Sequence, residues 1–150
     1  MTMMNAMQHR HRPSWVPVRG HRLRLAVVHF DAVRIAGRWG EAVADELIER
    51  TDDDAGPIVC AGGADTRWVY FLLPPGTVHR HDWPLGVQRY GWRPHRSVTY
   101  VGVPALEGNT WPLRWYSEPT RTAPFVAAGA LLAVTSSPGA GPAAPRSPAP

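Results

Sequence analysis

The sequence predicts an α/β fold, α+β-like, in which a mixed, largely antiparallel sheet of about 4–6 strands carries one main helix packed on a face. Several short runs are rich in apolar, β-branched and aromatic residues and are bounded by turn residues, as strands are. One segment alone has strong helical spacing. The 16 prolines and 14 glycines among 150 residues keep every element short, and this length suits one domain.

Five segments have the composition of strands. They are residues 23–35, 58–61, 66–73, 98–103 and 111–116. The fourth segment is stopped by Pro104, and a turn at Glu107-Gly108-Asn109 separates it from the fifth. We therefore expect the fifth strand to pair with the strand before it.

The main helix is predicted where Trp39, Val43 and Leu47 recur at a spacing of four with acidic residues on the opposite face. The acidic run 52–54, followed by Gly56 and Pro57, ends it. A closing helix is expected over residues 124–134, with Pro124 near its first turn.

Composition divides the chain into three parts. Residues 1–20 form a basic flexible arm, residues 21–134 the folded domain, and residues 135–150 a disordered Pro/Ala-rich tail with too few large apolar side chains for a core. The chain contains neither the apolar stretch of a signal peptide nor the about 20 apolar residues that span a bilayer. We expect a cytoplasmic protein with no membrane partner.

The residue pattern gives little support for a metal or cofactor site. Cys60 is the only cysteine, so it can form no intrachain disulfide and cannot found a zinc site alone. The pairs His9/His11 and His79/His81 lack the third and fourth ligands that zinc needs. We expect neither a metal nor a cofactor.

The strongest functional signal is a basic and aromatic stretch between residues 80 and 96. Arginines that contact phosphates, beside rings on which bases stack, are typical of single-stranded nucleic-acid binding. The alternative is a surface loop whose tryptophans fold back onto the sheet edge. The candidate nucleic-acid-binding residues are Arg80, Trp83, Arg89, Tyr90, Trp92, Arg93 and Arg96.

A series of short motifs runs in order from about residue 25 to residue 120. They are Phe30-Asp31-Ala32-Val33, the strand and turn 67–76 ending in Leu73-Pro74-Pro75-Gly76, Gly86-Val87-Gln88, the strand 99–104, and Leu113-Arg114-Trp115. This order resembles the N-terminal domain of bifunctional DNA primase–polymerases. The resemblance implies an α/β fold and a nucleotidyltransferase site built from an Asp-x-Asp motif, a histidine and a later acid.

The departures from that family pattern concern its catalytic residues. Asp31 is kept, but Val33, Trp68 and Gln88 stand where the family has an acid, a histidine and an acid. A single carboxylate cannot hold two Mg²⁺ ions. The resemblance therefore implies a degenerate member in which Asp31 is a relic; the alternative for Asp31 is a hydrogen-bonded or solvated residue at a strand end.

Three functional hypotheses follow. The first is a non-catalytic primase/polymerase-like domain that binds single-stranded DNA or RNA, or a partner in DNA replication. The second is a protein–protein adaptor or regulatory subunit that uses aromatic and arginine anchors. The third is a weakly active nucleotidyltransferase that relies on Asp31 and an unidentified acid. The missing catalytic residues argue against this third hypothesis.

Overall fold

The computed structural model of the chain describes residues 11–63, 66–91 and 99–137. In chain order the elements are β1 (His21–Leu25), β2 (Asp31–Ala36), α1 (Gly37–Arg50), β3 (Ile58–Ala61), β4 (Trp68–Leu73), a short 3-10 helix (Val78–Arg80), β5 (Gln88–Tyr90), β6 (Tyr100–Pro104), β7 (Leu113–Ser117) and α2 (Ala128–Thr135). No helix in these ranges is both long enough and apolar enough to cross a bilayer.

The strands form two sheets. Five strands, in the order β5-β2-β4-β3-β7, make the main sheet, and β1 pairs with β6 in a separate two-stranded ribbon. Every ladder is antiparallel. The predicted α/β class, with a largely antiparallel sheet and one main helix, is confirmed.

The predicted strand over residues 23–35 is in fact two strands in different sheets. A turn separates β1 from β2, closed by the Val27 N–H, which donates to the Phe30 carbonyl at 2.7 Å. Val27 has a positive φ of 84°, a conformation that a valine side chain disfavours. The apolar run was therefore misread: it turns the chain from the ribbon into the main sheet and buries Phe30 completely.

The predicted pairing of the last two strands is wrong. β7 pairs with β3, placing Trp115 opposite Val59, whereas β6 pairs with β1. The reason lies in the core: Val101 and Val103 of β6 cover the same apolar cluster that contains Val59.

The first core lies between the main sheet and the helices. Side chains of β2 and β4 that point to this face, such as Ile35 and Phe71, pack with Val43 and Leu47 of α1 and with Leu131 of α2. The helix predicted from the spacing of Trp39, Val43 and Leu47 thus lies where expected, with Trp39 half-buried at its margin.

The second core lies on the opposite face of the main sheet. Phe30 and Leu72 pack there under the ribbon. Trp15 and Val16 belong to this core and are buried, although they fall within the segment 1–20 predicted as a flexible arm. Residues 1–10 of that segment, and 138–150 of the predicted tail, lie outside the described residues.

Candidate nucleic-acid interface

One part of the main sheet's second face carries polar and aromatic side chains in place of apolar ones. Successive side chains of a strand point to opposite faces. The register places Arg34 of β2 between Tyr70 of β4 and Gln88 of β5, with Trp68 and Tyr90 on the neighbouring rows. We call this set, Arg34, Trp68, Tyr70, Gln88 and Tyr90, the arginine–aromatic face.

Arg34 is the centre of the arginine–aromatic face. Its guanidinium carbon lies 3.8 Å from the centroid of the Trp68 ring and 5.4 Å from that of Tyr90, within the range of cation–π attraction. Its Nε donates to Gln88 Oε1 at 2.7 Å, and its Nη2 donates to the same oxygen. The rings of Tyr70 and Tyr90 stack beside it, with centroids 6.4 Å apart.

The charge of Arg34 is paired with no acidic residue in the part of the chain that the structure describes. None of the residues that β2, β4 and β5 place on this face is an acid, and no described carboxylate forms an ion pair with Arg34. Its hydrogen-bond partners are the neutral Gln88 amide oxygen and, at 3.5 Å, the Tyr70 hydroxyl. A guanidinium attracts anions, and its planar shape suits phosphate oxygens.

The structure separates the residues predicted to bind nucleic acid. Tyr90 belongs to the arginine–aromatic face, and Arg89 is exposed beside it on β5. Arg80 is exposed in the short 3-10 helix, while the Trp83 indole N–H donates to the Val78 carbonyl at 2.8 Å and its ring packs on the first core. Trp83 and Tyr90 therefore contact cores on opposite faces of the sheet. The remaining candidates, Trp92, Arg93 and Arg96, lie outside the described residues.

Sequence reasoning missed four members of this face. Arg34 interrupts the apolar run that follows Asp31, and Trp68 and Tyr70 are alternate residues of another predicted strand. Alternate residues of a strand share one face, so this pattern could have indicated that Trp68 and Tyr70 lie together. Trp68 and Gln88 were considered only as replacements for family residues. Their proximity to Arg34 depends on the order of strands, which no local pattern reveals.

Asp31 has a structural partner. Its side chain is fully buried, and Oδ2 accepts a hydrogen bond from the Val78 N–H at 3.0 Å, at the start of the 3-10 helix. Oδ1 has no hydrogen-bond partner among the described residues. Gly91 fits closely beside it, because a Cβ at that position would lie 2.3 Å from a Val78 methyl carbon and 3.1 Å from Asp31 Oδ2.

The positions matched to the primase–polymerase site do not meet on one face. Asp31 and Val33 point to the first core, whereas Trp68 and Gln88 point to the opposite face. In the part of the chain that the structure describes, no three His, Cys, Asp or Glu side chains are grouped to hold a metal ion.

The chain matches no protein-family model, and neither the curated proteins nor the solved structures include a protein similar to it. Its function must therefore be inferred from the geometry of the molecule itself.

Proposed function

We propose that this chain is a non-catalytic, primase/polymerase-like binding domain that holds single-stranded DNA or RNA on the arginine–aromatic face. One observation carries the proposal: the half-buried guanidinium of Arg34 lies against the rings of Trp68 and Tyr90 with no described acid to balance its charge. The resemblance to primase–polymerases favours the same class of ligand.

Each group on the arginine–aromatic face has a use in such a complex. Arg34 attracts phosphate oxygens, and the half-buried rings of Tyr70 and Tyr90 supply surfaces on which bases stack. The Gln88 amide oxygen is held by Arg34 and by the Tyr90 hydroxyl at 3.2 Å, which orients its NH₂ group to donate to a base edge. Stacking on protein rings requires bases that are not already stacked in a duplex, so single strands are preferred.

The test is a fluorescence-anisotropy titration of labelled oligo-dT and oligo-U at two salt concentrations. We expect Arg34→Ala to weaken binding by about tenfold or more and to reduce the slope of log K against log salt by about 0.7, as one lost phosphate contact should. Arg34→Lys keeps the charge but loses the planar group, so its affinity should be intermediate.

The matched control is Arg38→Ala. Arg38 is an exposed arginine of α1, and its removal changes the net charge equally. Absence of binding at low salt, or equal weakening in both alanine variants, would contradict the proposal. Urea unfolding of each variant separates loss of binding from loss of fold. The double variant Trp92→Ala, Arg93→Ala tests the remaining basic aromatic stretch in the same assay.

A further inference from the structure

The outer edge of β1 in the ribbon has no strand partner among the described residues. Ala26 N–H donates to the Thr99 carbonyl at 2.9 Å, and Ala105 N–H donates to the Gly20 carbonyl at 2.7 Å. Hydrogen-bonded and non-hydrogen-bonded pairs alternate in an antiparallel ladder. The peptide groups of Arg22 and Arg24 therefore bond to β6, while those of His21 and Leu23 point to the other edge, along which no described strand pairs. The edge ends at Leu25, whose carbonyl accepts a hydrogen bond from the His29 N–H at 3.4 Å.

Exposed apolar side chains are frequent on the ribbon and in the residues next to it in sequence. Leu23 is 67% exposed and Tyr100 is 59% exposed; Leu23 stands opposite Gly102, which has no side chain to cover it. Of seven large apolar side chains exposed in the described ranges, five lie on the ribbon or beside it in sequence: Val18, Leu23, Val27, Val28 and Tyr100. An unpaired strand edge that carries an exposed apolar side chain such as Leu23 is a candidate interaction site.

The positive charge around the β1 edge favours an acidic partner. Residues 11–30 contain four arginines and no acid before Asp31, and Arg22 and Arg24 flank Leu23. We propose that β1 accepts an extended acidic peptide of a partner protein as an added antiparallel strand, with acids opposite Arg22 and Arg24 and an apolar residue opposite Leu23. Backbone hydrogen bonds supply affinity in this mode of recognition, and alternate side chains supply specificity.

Other occupants fit the edge less well. A second copy paired antiparallel about Leu23 would set Arg22 opposite the partner's Arg24, and like charges directly opposite each other destabilise a ladder. The chain's own residues 1–10 and 138–150 contain no acid, and the latter include five prolines, which cannot donate to a ladder.

The experiment uses the full chain and a short labelled peptide in which Glu and Val alternate, followed by anisotropy. The key variant is Leu23→Pro, because the Leu23 N–H points away from β6 and its loss removes no bond of the ribbon. We expect it to weaken binding by about tenfold, the worth of one lost hydrogen bond and its desolvation. A peptide N-methylated at alternate residues should bind similarly weakly.

A second variant covers the case in which Leu23→Pro unfolds the ribbon. Leu23→Glu should also weaken binding. The control Leu85→Glu should not, because Leu85 lies outside the ribbon, in a loop, and is 91% exposed. Four results would overturn the proposal: no binding at low salt, equal affinity for the N-methylated peptide, displacement of the peptide by oligo-dT, or a concentration-dependent dimer that Leu23→Glu abolishes. The last result would assign the edge to a second copy.

Discussion

At the scale of single residues, the fold shifts the pKa of Tyr116 clearly from its ordinary value. Its hydroxyl donates to Asp45 and so ties the edge strand β7 to α1. Partial burial, and then the hydrogen bond and the negative charge of Asp45, raise the pKa of Tyr116 from 10.0 to about 12. The neutral phenol is thus the form that the folded state stabilises.

This shift predicts a loss of stability at alkaline pH. Between about pH 10 and about pH 12 the unfolded chain releases the Tyr116 proton while the folded chain keeps it, so the free energy of unfolding falls as pH rises. The contribution is fully present below about pH 10 and, for a solvent-screened pair, amounts to less than about 1 kcal/mol. Tyr116→Phe should remove this part of the fall.

Urea unfolding of Tyr116→Phe at pH values below and within this range checks the prediction. Tyr100→Phe is the matched control, since it removes the hydroxyl of an exposed tyrosine of β6. An unchanged alkaline slope in Tyr116→Phe would show that the Asp45 contact does not hold the proton.

Asp31 shows how far residue-level reasoning extends. The possibility that it is a hydrogen-bonded residue at a strand end agrees with its contact to the Val78 N–H. The partner itself could not be predicted, because it lies 47 residues away in a short 3-10 helix. The same limit hid Arg34, whose ring partners come from two other strands.

At the scale of elements, α1 lies unusually close to the sheet at Gly40. A Cβ at this position would lie 2.6 Å from the Ile35 carbonyl oxygen and 3.0 Å from a Val69 methyl carbon. Helix propensity alone favours alanine over glycine by about 1 kcal/mol. The contact reverses that preference, because the carbonyl oxygen is backbone and cannot rotate away.

We predict that Gly40→Ala destabilises the protein by about 1–3 kcal/mol, the usual cost of overpacking. Gly129→Ala in α2 is the matched control: a Cβ there meets nothing within 4 Å, so it should stabilise by up to about 1 kcal/mol. Chemical denaturation of the two variants measures both signs. A stabilised Gly40→Ala would mean that α1 moves away from the sheet at little cost.

Elements with a strong internal pattern were predicted well, and those defined by distant partners were not. The spacing of Val43 and Leu47 and the β-rich run at Val69 and Phe71 identify α1 and β4, because one face of each is buried in the first core. The break between β1 and β2 escaped prediction because its turn contains Val27 at positive φ, where Gly or Asn is expected.

At the scale of the whole molecule, the two sheets are joined through the second core. Strand β1 pairs with β6 and β3 with β7, and both pairings join segments far apart in sequence. Local patterns carry no information about which distant strand is the partner. The partner choice follows from packing, since Phe30, Val59 and Val103 must reach one cluster together.

A substitution at Trp15 tests whether the ribbon and the main sheet unfold as one unit. Its ring makes an edge contact with Phe30 at 5.2 Å and stacks with Phe125 at 6.1 Å between centroids, and it is only 5% exposed. Trp15→Ala should therefore destabilise the protein by about 3–5 kcal/mol, as for other buried aromatic side chains. Trp111→Ala, at a tryptophan 78% exposed, should change stability by no more than about 0.5 kcal/mol.

Urea unfolding followed by circular dichroism and by fluorescence distinguishes the outcomes. If the second core joins the ribbon to the main sheet, the two probes should give coincident transitions in Trp15→Ala, both at lower urea than in the wild type. A small loss of stability, equal to that of Trp111→Ala, would show that the segment around Trp15 contacts the sheet but contributes little to the free energy of unfolding. Separate transitions would show that the ribbon and the main sheet do not form one cooperative unit, because a two-state fold gives coincident transitions for every probe.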